Sequence, residues 1–141
     1  DNFELYLDPA AEHQIKLCRK NFTPPTSGNI DMTSMTADEA QLTIRAALAA
    51  GFTEIKLTGE LSKTGIGGNW GTFINNKKIT KCDLTGVTDW GRTPTLPELA
   101  FSNCTALQEV TLPDDMKVIG TGAFFRLRCA DYGESFAGYL D

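Results

Sequence analysis

Three apolar-polar-apolar triplets recur along the chain at nearly constant spacing: Ile55-x-Leu57, Cys82-x-Leu84 and Val110-x-Leu112. Each carries the period-two signal of a short strand with one buried face. The match extends beyond the triplets. Shifting Phe101, Asn103, Leu107, Val110 and Leu112 upstream by one constant offset lands on Phe73, Asn75, Ile79, Cys82 and Leu84. A second shift, shorter by a single position, carries Ile79, Cys82 and Leu84 onto Phe52, Ile55 and Leu57, whereas the position matching Phe73 is Ala46, inside a helix-like run. At the other end, Ala100-Phe101 returns at a somewhat shorter interval as Ala123-Phe124. Periods of roughly 20–30 residues are those of solenoids, whose units lean on one another because none can bury its apolar face alone. The pattern predicts three short strands side by side in a small parallel sheet, with the Phe and Leu/Ile of each unit filling the space behind it.

A helix is expected before the first triplet. Thr36-Ala37-Asp38-Glu39 has the form of a capping box with acid in the first turn, Ala40, Ile44, Ala47 and Leu48 form an apolar stripe, and Gly51 supplies a left-handed stop. This helix, over 36–50, should cap the first strand. Upstream, Phe3, Leu5 and Leu7 alternate, as do Ile15 and Leu17, which suits a hairpin. Thr23-Pro24-Pro25-Thr26-Ser27-Gly28-Asn29 then reads as a linker. The expected organisation is an arm over 1–33 and one domain over 34–141, with repeats over about 52–127 and a C-terminal cap over 128–141 that draws on Tyr132, Phe136, Tyr139 and Leu140. The stretch from strand to following Phe is short from Leu112 to Phe124, and longer by at least a turn's worth of chain from Leu57 to Phe73 and from Leu84 to Phe101. Both longer loops carry a Trp-Gly pair, Trp70-Gly71 and Trp90-Gly91, and their surplus should bulge outward.

The segment L-P-E-L-A-F-S-N-C-T-A-L-Q-E-V-T-L-P-D-D-M-K-V-I-G-T-G-A-F, residues 96–124, resembles the BspA-type leucine-rich repeat, whose units read roughly I-G-x-x-A-F-x-x-C-x-x-L-x-x-I-x-L-P. F-T-E-I-K-L-T-G-E-L and I-T-K-C-D-L-T-G-V-T are similar to the entry repeats of such proteins, and the likeness spans about residues 52–127. The resemblance implies an α/β chain built as a short right-handed leucine-rich-repeat solenoid with an N-terminal capping helix. It also implies a bacterial protein, secreted or displayed at the cell surface, that adheres to a host or bacterial partner, and it places a buried residue at Cys104.

Composition narrows the function classes. With 141 residues, a net charge of −5 and no cluster of Lys/Arg, the chain is not a general nucleic-acid binder. No run of apolar residues is long enough to span a membrane. The start Asp1-Asn2-Phe3, without Met or leader, suits a mature region. The four cysteines show no C-x-x-C spacing and there is a single histidine, His13, so neither a metal site nor a histidine-based triad is expected, and no cofactor. Cys82 and Cys104 read as buried thiols; a disulfide in an exported protein would draw on Cys18 and Cys129. Asn21-Phe22-Thr23 and Asn103-Cys104-Thr105 fit the glycosylation sequon, but Asn75 and Asn103 share a repeat position and read better as turn-forming residues. Thr64 to Gly71 is rich in glycine yet lacks the spacing and the Lys of a phosphate-binding loop, and Asp114-Asp115 read as turn acids.

The candidate site is therefore a binding surface rather than a catalytic one. Lys56, Thr58, Lys81, Asp83, Thr85, Glu109 and Thr111 occupy outward strand positions and would face a polar protein partner. The loops at 60–71 and 88–95 would add Trp70 and Asp89, Trp90 and Arg92. Trp70 lies just before core Phe73 and is expected to pack inward, while Trp90 is open to either environment. Two alternatives stand beside protein adhesion. One is a carbohydrate-binding module stacking sugars on Trp70 and Trp90. The other is a structural spacer. A monomer or weak dimer is expected.

Overall fold

The computed structural model of the chain describes residues 3–7, 15–19 and 23–127, and for the first two segments the backbone pairing alone. Strands β1 (Phe3–Leu7) and β2 (Ile15–Arg19) pair antiparallel, Phe3 opposite Arg19 and Leu7 opposite Ile15, as their alternation predicts. The side chain of Cys18, Cys129 and the cap expected over 128–141 lie outside the described residues.

Helix α1 (Ala37–Ala49) follows from its ends and its stripe. The Thr36 hydroxyl accepts the Glu39 amide at 3.2 Å and donates to the Glu39 carboxylate at 3.1 Å, so the expected box closes through the hydroxyl. At the far end the Phe52 amide donates to the Ala47 carbonyl and the Gly51 amide to Leu48, a Schellman stop with Gly51 at φ 95°. Ala40, Ile44, Ala47 and Leu48 are all buried, as the stripe requires.

The central sheet is parallel and has four strands in the order β3 (Asn29–Asp31), β4 (Glu54–Glu60), β5 (Lys81–Thr88) and β7 (Glu109–Thr111). The expectation of three strands is thus one short, because Asn29–Asp31, within the stretch expected as arm and linker, joins the sheet edge. Ile30, paired with Leu57, is buried, and the Lys63 ammonium donates to the Met32 and Thr33 carbonyls at 3.2 Å each, fixing the strand's exit. A smaller parallel pair, β6 (Thr95–Leu96) with β8 (Val118–Ile119), is too short to be foreseen from alternation.

Sequence period and pairing register coincide. Ile55 pairs Cys82 and Cys82 pairs Val110, the same residues that the repeat superimposes. Thr95 pairs Val118 and Leu96 pairs Ile119, at the interval that separates Phe101 from Phe124. Behind the sheet, Phe73 stacks on Phe101 at 5.3 Å between centroids and Phe101 on Phe124 at 5.8 Å. Such aromatic pairs contribute about 0.5–1.5 kcal/mol beyond area burial. The turns after these rings stack as well, Asn75 donating its amide to the Ser102 carbonyl and Asn103 to the Phe125 carbonyl. Phe73, Leu57, Ile79, Leu84, Leu96 and Phe101 are fully buried in one core with the stripe of α1.

Candidate functional site

The register lines up the outward side chains in rows. Asn29, Lys56, Asp83 and Thr111 form one row across the four strands, and Glu54, Lys81 and Glu109 form the row beside it. Neighbours within a row are about 4.8 Å apart along the hydrogen-bonding direction, close enough for each cation to lie next to a carboxylate. Lys81 stands between Glu54 and Glu109, and Lys56 beside Asp83. Together these residues line a shallow groove of about 280 Å³. The structure therefore gathers Lys56, Lys81, Asp83, Glu109 and Thr111 on one surface and adds Glu54, which the alternation around Ile55 also turns outward, and Asn29, which alternation alone does not mark. The offset that links Lys56 to Asp83 also links Asn29 to Lys56, so the repeat carries the missing signal.

One irregularity shapes this face. Between the pairs Lys56–Asp83 and Thr58–Gly86, β5 has one residue more than β4, a bulge at Leu84–Thr85. The Asp83 carboxylate accepts both the Thr85 hydroxyl at 2.6 Å and the Thr85 amide at 2.9 Å, satisfying the backbone donor that the bulge frees. These bonds, hydroxyl first, hold the Asp83 carboxyl below the usual carboxylate range, and Lys56 lowers it further. Asp31 repeats the device at the sheet edge, accepting the Thr33 amide and hydroxyl, and its carboxyl is lowered too. Both remain anionic at neutral pH.

The loop residues part company. Trp90 is buried, with its indole N–H donating to the Val87 carbonyl at 2.7 Å, so it cannot stack on a ligand. Its surplus loop does not bulge outward throughout: past the left-handed turn at Asp89 (φ 63°) the indole lies in the core, bonded to the Val87 carbonyl at the end of β5. Asp89 and Arg92 are exposed. Trp70 reverses the opposite expectation: predicted to pack inward, it is 89% exposed. The three glycines before it, Gly65, Gly67 and Gly68, all take positive φ and turn the chain so that Phe73 and Trp70 point different ways. The two tryptophans therefore do not share one exposed stacking surface.

Cys82 and Cys104 are free and buried. Burial pushes the Cys104 thiol up to about 11 and raises Cys82 well beyond the ordinary thiol range, so neither is a nucleophile at neutral pH. Cys104 donates its S–H to the Phe73 carbonyl, tying adjacent units together. Among the described residues there is no group of three metal-ligating side chains, and no helix long and apolar enough to cross a membrane. No family model, curated protein or solved structure matches the chain.

Proposed function

We propose that the chain is a non-enzymatic protein-interaction module, a short right-handed leucine-rich-repeat solenoid of BspA type, exported and displayed by a bacterium for adhesion to a host or bacterial surface protein. The observation that carries this reading is the sheet face, where two cations and three carboxylates are held in register across a shallow groove. The equality of sequence period and strand register supports the solenoid. Fixed rows of both signs suit a polar protein surface with the complementary pattern, and they select partners more than they add raw affinity. The groove is shallow and open, and its Asp83 carboxyl is committed to Thr85 as an anion, an arrangement that does not favour acid-base chemistry.

The test is surface plasmon resonance of the chain against a panel of purified extracellular matrix proteins and bacterial surface proteins. Binding to a member of the panel should weaken about tenfold or more in Lys56→Glu/Lys81→Glu, with an unchanged fold by circular dichroism, and should weaken with added salt. Absence of binding across the panel, or binding indifferent to the charge reversal, overturns the reading.

A further inference from the structure

A second surface shares no residue with the sheet groove. Arg45 of α1, with Asn75, Asn76, Lys77 and Lys78 of the segment preceding β5, lines an open hollow of about 520 Å³, and neither Asp nor Glu is among its lining residues. In a chain of net charge −5 this is a local reversal of sign. Its remaining hydrogen-bonding capacity is one-sided. The Asn76 carboxamide oxygen is occupied by the Lys78 and Ile79 amides, and that of Asn75 accepts from Asn103. What both side chains offer to a ligand is therefore their NH₂ groups. With the guanidinium and two ammoniums, the hollow presents donors and calls for a ligand rich in anionic acceptors.

Trp70 is joined to it through Arg45. The Arg45 Nη2 donates to the Trp70 carbonyl at 2.9 Å, which occupies one of the guanidinium N–H groups and ties the loop that carries the exposed indole to the edge of the hollow. The loop that carries it is closed on itself. Thr72 donates its amide to the Gly65 carbonyl at 3.1 Å and its hydroxyl to the Thr64 carbonyl at 3.0 Å, and the Gly68 amide reaches the Glu98 carbonyl at 2.9 Å. The indole is thus presented outward by an anchored backbone. An exposed ring on an anchored loop, joined to a cationic hollow without a carboxylate in its lining, fits a ligand that has both a flat apolar face and acids.

We propose that Trp70, Arg45, Lys77 and Lys78 form a binding site for an acidic polysaccharide of the uronate class, with a pyranose ring stacked on the indole and its carboxylates on the guanidinium and ammonium groups. A uronate is favoured because the planar guanidinium matches a carboxylate in fork geometry. Single-stranded nucleic acid is disfavoured: it takes successive stacking platforms along a basic track, and this surface offers a single exposed indole on an acidic protein.

The experiment uses the whole chain and a galacturonic acid hexamer as probe, with calorimetric titration and acrylamide quenching of tryptophan emission. The hexamer should protect Trp70 from quenching. Affinity should fall by roughly tenfold in Trp70→Ala and in Lys77→Gln/Lys78→Gln, decline with salt, and stay unchanged in Lys56→Glu/Lys81→Glu on the sheet face. That last variant separates this site from the adhesion reading, since either can fail alone. Emission from buried Trp90 reports that each variant is folded. The proposal is overturned if the hexamer does not bind, if binding survives both Trp70→Ala and the double lysine change, or if a glucose hexamer, dextran sulfate, oligothymidylate or polyglutamate binds more tightly than the hexamer.

Discussion

Asn103 shows how one residue holds a turn and a neighbour at once. Its backbone is left-handed at φ 60°, as is Asn75 at φ 63°, and the Asn103 carboxamide N–H donates to the Asn75 oxygen at 3.1 Å. Left-handed backbone costs an L-residue with a Cβ about 1–2 kcal/mol, and Asn reduces that cost by local hydrogen bonding. Asn103→Ala should therefore lower stability by about 2 kcal/mol, counting the lost side-chain bond. Asn103→Gly should cost about half as much, since glycine takes the turn without strain. Urea denaturation midpoints of the two variants decide the matter, and an alanine variant as stable as the glycine one would show that the φ is not imposed. Arg126, at φ 65°, occupies the corresponding position in the next turn without an Asn side chain to assist it.

At the scale of elements, β3 is the test case, because it is the strand that the hydrophobic pattern does not announce. Its three residues attach to β4 through a close backbone approach: the Lys56 amide donates to the Gly28 carbonyl at 2.8 Å, and a Cβ at position 28 would fall inside the van der Waals envelope of the Glu54 carbonyl oxygen. A clash with backbone cannot be relieved by a rotamer change. Gly28→Ala should detach β3 at a cost on the order of 1–3 kcal/mol. In amide exchange, protection should be lost at Met32, whose amide bonds the Thr58 carbonyl, and retained at Leu84. Equal loss at both amides would mean that β3 is integral to the sheet's global stability and not an edge added to it.

At the scale of the molecule, the Phe73, Phe101 and Phe124 stack joins successive units through their shared interior. Phe101 is the middle ring and fully buried, so Phe101→Ala should lower stability by about 3–5 kcal/mol. The loss should be felt everywhere. Unfolding followed by Trp90 emission and by far-ultraviolet circular dichroism should shift together and remain a single transition. Separation of the two curves would show units that unfold independently, as nearest-neighbour coupling in a repeat array permits when interfaces are weak.

The periodic part of the chain is legible from the residues alone. Ile55, Cys82 and Val110 recur at the offsets at which they pair, α1 is written in its box, stripe and Gly51, and the charged positions of β4, β5 and β7 follow from alternation, because each is a local or strictly repeated signal. What only the tertiary structure decided lies where the period breaks. Ile30-x-Met32 is too short to declare a strand until Leu57 lies beside it. Trp70 and Trp90 share a Trp-Gly context yet end on opposite sides of the surface, one turned out after a run of left-handed glycines and one held in after the left-handed turn at Asp89 by its bond to the Val87 carbonyl. The hollow at Arg45, Lys77 and Lys78 joins α1 to a segment that follows only after the whole of β4 and its long loop. No spacing rule links such residues; their proximity is set by the packing of α1 behind the sheet.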